Sequence, residues 1–204
     1  ESQGVDVIDL GIGAPDLPTP AFILDRLAKE AQKPANHVCS SYNGCQEFRQ
    51  AVAGFYKRTY QVELDPDTEI LALIGSKEGL AHMATAVLNP GETALVPDPG
   101  YPVYRSAVHL AGGTTTYLPL DADNHYRPMF DHVSKADWKN ASLMFLNYPG
   151  NPTAATVDRS VFDEAVAFAK QHDVALLHGA ACGALTYNGY QGPSVVGSNG
   201  AKDI

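Results

Sequence analysis

Five short runs without a formal charge, at residues 70–74, 93–96, 114–118, 141–146 and 174–178, punctuate this chain, and four are almost wholly apolar. A strand with one wet face alternates apolar and polar residues; these runs do not alternate. Strands of that kind are buried on both faces, as in a parallel sheet covered by helices. The segments between them read as helices. Residues 46–59 place Phe48, Val52, Phe55 and Tyr56 on one face. Residues 77–88 end at Asn89-Pro90-Gly91, and a helix opening at Pro102 ends at Gly112-Gly113, both ordinary helix stops. Residues 158–172 supply another. Ahead of all of these, Phe22, Ile23, Leu27, Ala28 and Ala31 follow helical spacing, with Thr19 as the expected N-cap and Pro20 at the first helical position. Alternating strands and helices predict a three-layer αβα fold with a mostly parallel sheet. The expected division is an N-terminal arm and first helix over 1–33, followed by a larger α/β domain over 34–204. The polar stretch containing Trp138 carries no helix assignment.

Composition narrows the function. The chain has 204 residues, 45% hydrophobic and 18% charged, enough to bury a core. Its net charge of −9 argues against nucleic-acid or anionic-membrane partners, which need a basic face. No apolar run approaches the roughly 18 residues of a membrane span. Cys39, Cys45 and Cys182 lack metal-ligand spacing. An odd cysteine count and no signal peptide predict reduced thiols and a cytoplasmic location.

Three turns stand where a ligand would be met. Gly75-Ser76-Lys77-Glu78-Gly79 lies between a strand and a helix. Helix starts carry unpaired N–H groups and positive potential, and glycine lets an anion approach, so a phosphate fits there. A capped turn without ligand is the plainer reading. Asp98-Pro99-Gly100-Tyr101-Pro102-Val103-Tyr104 follows the next strand. Its prolines aim Tyr101, which can stack on a flat ring or simply fill the core. Asn147-Tyr148-Pro149-Gly150-Asn151-Pro152-Thr153 closes a third strand, and ligands of parallel sheets collect at such ends. The plainer alternative for Asn151 is an Asx-turn.

Taken in this order, these motifs resemble the class I/II aminotransferases, fold type I enzymes built on pyridoxal phosphate (PLP), in the branch of LL-diaminopimelate, alanine and aspartate aminotransferases. The resemblance implies the PLP-dependent transferase large domain. It implies a phosphate cradle at Gly75, Ser76 and Lys77, ring stacking by Tyr101, and a hydrogen bond from Asn151 to the ring oxygen. Leu10-Gly11-Ile12-Gly13-Ala14-Pro15-Asp16 is similar to the family segment passing over the substrate, which implies substrate contacts for Ile12 and Gly13. Amino-acid and 2-oxo acid substrates and a homodimer are also implied.

The departures from the family pattern are specific. Gly179 stands where the family has the Asp that pairs with the ring nitrogen, and Cys182 where it has a Tyr. Cys39 stands where a Tyr often reaches the neighbouring subunit's phosphate; Gly150 and Ala154 also differ. His178 precedes the acid position, so its side chain is expected on the opposite face, in a structural role. Cys182 is expected to be an inert thiol. The family's Schiff-base lysine comes one strand after the 174–178 run, in a turn beyond position 204. The chain is therefore expected to be a truncated, C-terminally incomplete domain without a catalytic residue of its own, inactive alone, with apolar strand edges left unpaired. The alternatives are a catalytically inactive PLP-fold protein that binds a ligand or partner, and a carbon–sulfur lyase or decarboxylase of the same fold.

Overall fold

The computed structural model describes residues 4, 6–8, 13 and 16–204; of the candidate residues, Ile12 lies outside the described residues. The chain divides into two compact units, residues 1–41 and 42–204. The first holds helix α1 (Ala21–Ala31) and a 3-10 turn, Pro34–Asn36. Thr19 does not cap α1: the N-cap is Pro20, and no side chain caps the start. The C-terminal end is tied down instead. Glu30 pairs with Arg26 at 2.9 Å and with Lys33 at 2.7 Å, and Asn36 donates to its carbonyl.

The second unit runs α2 (Gln46–Tyr60), α3 (Ser76–Val87), β1 (Thr93–Asp98), α4 (Pro102–Leu110), β2 (Thr114–Pro119), α5 (Lys135–Asn140), β3 (Ala141–Asn147), α6 (Arg159–His172) and β4 (Ala175–Gly179). The strands form one sheet in the order β2-β1-β3-β4, every pair parallel. Side chains leave a strand alternately to its two faces, and the core splits accordingly. Ala94, Val96, Leu143 and Phe145 pack with Leu80 and Ala84 of α3 and with Tyr104, Ala107 and Val108 of α4. Leu95, Met144 and Leu146 pack with Val161, Phe162, Ala165 and Ala169 of α6. Helices thus cover both faces of the sheet. That is why its central strands are apolar throughout.

Two further sequence expectations change. Residues 70–74 form no strand. A strand exists only where a neighbour completes its ladder, and here the Ala72 N–H donates to the Asn43 carbonyl while Leu71 and Ile74 stay exposed. The polar stretch around Trp138 does hold a helix, α5. Ser134 caps it by accepting the Asp137 N–H, and Trp138 stacks on both Phe168 and His172 of α6, at 5.5 and 4.6 Å.

Candidate functional site

The strand order locates the site before any motif is consulted. From β1 the chain crosses through α4 to β2 on one side; from β3 it crosses through α6 to β4 on the other. The connections diverge between β1 and β3. Beyond the carboxyl ends of two such strands lies a crevice, the place where open α/β sheets take ligands. Asp98 ends β1 and Asn147 ends β3. The loops carrying Tyr101 and Asn151 therefore flank this crevice, and Gly179 ends the adjacent β4.

Four of these elements meet in one polar cluster. The hydroxyl of Tyr104, in the first turn of α4, lies 3.1 Å from the Asn147 side-chain amide. The Tyr104 ring stacks on Phe145 at 4.7 Å and meets Tyr101 edge-on at 5.8 Å. A Cβ built on Gly179 would stand 2.5 Å from the Tyr104 hydroxyl and 3.2 Å from the Asn147 amide. Asn147 also reaches the Asn151 backbone N–H at 2.9 Å when its amide is turned to present oxygen to that donor. Tyr101, Asn151 and Gly179 are thereby brought together. Tyr104 and Asn147 belong to this cluster although sequence reasoning assigned them nothing. Both lie inside motifs already singled out, but only the pairing of β1, β3 and β4 shows that they touch.

The turn at Gly75 leaves the start of α3 open. Gly75 is the N-cap of α3 with φ 82°, no side chain caps the helix, and nothing lies within 4 Å of where its Cβ would be. Ser76 and Lys77 open the helix, so their N–H groups belong to the first turn that no intrahelical carbonyl satisfies. Glu78 holds the turn by accepting the Ile74 N–H at 2.6 Å.

Gly100 fixes the loop that aims Tyr101. A side chain there would run into the Pro97 carbonyl oxygen, and backbone in a two-proline turn cannot give way. Gly100→Ala is expected to cost about 1–3 kcal/mol, as overpacking does, read as a lower urea midpoint at unchanged slope. An unshifted midpoint would show that the turn relaxes freely.

His178 lies on the other face of β4. Its Nε2–H donates to the Tyr148 carbonyl at 2.9 Å, and its ring packs on Phe162 at 4.5 Å. Burial lowers its pKa to about 4, against the smaller opposing effect of that hydrogen bond. It is a neutral core residue, away from Gly179. Cys182 is half-buried and lines a groove with Pro149, Gly150, Ala154, Tyr187 and Tyr190, beside the Asn151 turn. Gly13 and Cys39 belong to the 1–41 unit. Everything in the cluster above comes from the 42–204 unit.

Tested against a phosphorylated pyridine such as PLP, the crevice fits in part. The open turn at Gly75 suits the phosphate, Tyr101 suits the ring face, and Asn151 lies with its N–H anchored by Asn147. The ring-nitrogen end does not fit a protonated pyridine. Gly179 offers no carboxylate, and the Tyr104 hydroxyl fills the place where a side chain would begin.

A parallel sheet covered by helices on both faces, with loops at a β1/β3 switch point, defines the class: an open αβα fold of the kind that takes ligands at the carboxyl ends of its strands. The chain matches the family Aminotransferase class I and II over residues 5–193, and it belongs to that family. It is 50% identical over its full length to an LL-diaminopimelate aminotransferase of Oleidesulfovibrio alaskensis, covering 53% of that protein. It is 47% identical to the same enzyme of Moorella thermoacetica, over 99% of this chain and 52% of that one. Among solved structures it superposes on substrate-bound BacF of Bacillus subtilis with TM-score 0.94 and 40% identity, over 97% of this chain and 50% of that one. The chain spans about half the length of the curated relatives it matches.

Proposed function

We propose that this chain forms the cofactor-cradling half of a PLP-dependent aminotransferase, acting on an amino acid and a 2-oxo acid. The observation that carries the proposal is the convergence of Tyr101, Asn151 and Gly179 at the β1/β3 switch point. The names of the similar proteins point to diamino-dicarboxylic substrates of the LL-diaminopimelate kind. Bound PLP supplies an electron sink for a substrate carbanion. The residues of this chain would do the holding. The first turn of α3 at Gly75, Ser76 and Lys77 takes the phosphate, Tyr101 covers the ring, and Asn151 meets the ring oxygen. Cys182 borders that side of the crevice. Gly13, Ile12 and Cys39 are proposed on the substrate side, in a cytoplasmic homodimer with the site near the subunit interface. Light scattering that shows a folded monomer at micromolar concentration would remove the dimer from this proposal.

A second reading is favoured by one specific observation, the missing carboxylate at Gly179: a PLP-fold protein that binds its ligand without turning over. Both readings predict reversible binding of PLP to this chain, seen as a saturable change in tyrosine and Trp138 emission. Neither predicts a lasting absorbance band near the visible edge. Lys77 supplies the only amine among these proposed cofactor contacts, and it sits at the phosphate end. A borohydride-trapped adduct mapped to one lysine of the crevice would contradict this placement, and absence of saturable binding would remove the cofactor from the proposal. Transfer of the LL-diaminopimelate amino group to a 2-oxo acid, assayed with this chain joined to the second half that its relatives carry, would decide for the first reading over the second.

A further inference from the structure

The sheet ends at β2, which pairs with β1 on one side and, among the described residues, with no strand on the other. Edge strands are ordinarily blunted by charge, proline or a bulge. β2 reads Thr-Thr-Thr-Tyr-Leu-Pro, uncharged, with its one proline in last place. Its bonds show which of its groups are free. The Thr114 N–H donates to the Glu92 carbonyl at 2.8 Å and the Leu120 N–H to the Asp98 carbonyl at 2.9 Å. Peptide groups of a strand point to alternate edges. Thr116 and Leu118 therefore also face β1, and the N–H and C=O groups of Thr115 and Tyr117 face outward. A groove of about 640 Å³ lies beside this edge. Arg105, Ser106 and His109 line it from α4, and Thr114, Thr115 and Tyr117 from β2. A second cavity of about 370 Å³ shares Arg105, Ser106 and Tyr117 and reaches Asp98. Arg105 and His109 are exposed. Arg105 reaches the Tyr117 hydroxyl at 3.5 Å, and it pairs with no carboxylate among the described residues.

We propose that this groove takes an extended acidic peptide as a further strand beside β2, its backbone paired with Thr115 and Tyr117 and its carboxylates met by Arg105 and His109. Two sets of groups fix the occupant. Outward N–H and C=O groups in strand geometry are completed by another strand. A guanidinium and an imidazole N–H on the same wall take carboxylates. A small anion would satisfy Arg105 and leave the edge unpaired. The spacing agrees as well. Four residues of helix rise about 6 Å and two residues of strand about 6.7 Å. Alternate side chains of an added strand point to one face, so acidic residues at every second position match the separation of Arg105 and His109. The six residues of β2 span about 20 Å, the reach of a hexapeptide. The inference stands apart from the cofactor reading and uses none of its contacts.

The test titrates the full chain into a dye-labelled hexapeptide, Thr-Glu-Val-Glu-Val-Thr with both ends blocked, and follows anisotropy. Saturable binding is expected. The same peptide with glutamine for glutamate should bind about three- to fivefold more weakly, the size of one exposed charge pair. Arg105→Gln should shrink that difference. Two further peptides carry N-methyl groups on the glutamates or on the valines. Only one of these sets of amides can face β2. One methylated peptide should therefore lose at least about tenfold, for two main-chain bonds, and the other should keep its affinity. In the unmutated chain, the Thr115 and Tyr117 amide protons should exchange more slowly when the parent peptide is bound. Equal affinities for the parent and both methylated peptides would show charge attraction without strand pairing and overturn the inference. Equal affinities for the glutamate and glutamine peptides, or no binding at all, would also overturn it. Displacement of the peptide by an equal concentration of inorganic phosphate would make the groove a small-anion site. Self-association of the chain that is lost in Thr115→Pro and not reversed by peptide would make a second copy the occupant. Either of these results overturns the inference too.

Discussion

Phe145→Ala is expected to destabilise the 42–204 unit by about 3–5 kcal/mol, the range for deleting a fully buried aromatic ring. Phe145 has no exposed surface and sits in the middle of β3. Its ring lies flat against Tyr104 at 4.7 Å, inside the cluster formed by α3, α4, β1 and β3. The cavity would open between a sheet and two helices, where collapse is resisted from both sides. Urea unfolding is the measurement: the midpoint should fall with the slope unchanged. Phe145→Leu should lose much less, because most of the volume is kept. The functional consequence is local. Tyr104 would lose the surface it rests on, so ring binding should weaken in Phe145→Ala beyond what the unfolded fraction explains. A loss below about 1 kcal/mol would mean that α4 closes on the sheet and that Phe145 does not hold the crevice floor.

The second large effect is a pH dependence centred on His178. Burial lowers its pKa to about 4 in the folded chain, against about 6.5 when unfolded. The folded state therefore favours the neutral ring. Above pH 6.5 both states are neutral at this residue, and its full contribution is present. As pH falls from about 6.5 to about 4, the unfolded chain takes up a proton that the folded chain does not, and stability is lost through that window. At about 1.4 kcal/mol per pKa unit, the total from this residue is roughly 3 kcal/mol. His178→Gln loses this titrating group. Its unfolding free energy, followed from pH 7 to pH 4, should be flatter than that of the unmutated chain. Parallel curves for the two proteins would show that His178 is accessible enough to protonate in place. The Nε2–H bond to Tyr148 and the Phe162 contact are what resist that.

Much of the architecture could be read from local pattern. The apolar runs at 93–96 and 141–146 form β1 and β3, the most buried strands, because a strand covered on both faces must be apolar at every position. Residues 46–59 and 158–172 were legible as helices for the opposite reason, a 3.6-residue period. Helix α5 was missed. It has six residues, too few for a period to show, and Lys135, Asp137 and Lys139 mask the single buried Trp138.

What the sequence by itself determined about this protein was therefore its αβα class and its family, since both are written in contiguous residues. The tertiary structure alone decided which strands pair. It left residues 70–74 without a ladder despite their apolar character, because hydrogen-bond partners come from elsewhere in the chain. It also decided the chemistry of the crevice floor. Gly179 reads in sequence as a lost side chain, a vacancy open to repair. In the fold the place is taken by the hydroxyl of Tyr104, 75 residues earlier, held by Asn147 from a third element. Nothing local announces that contact, because it is created where the first turn of α4 meets the ends of β3 and β4.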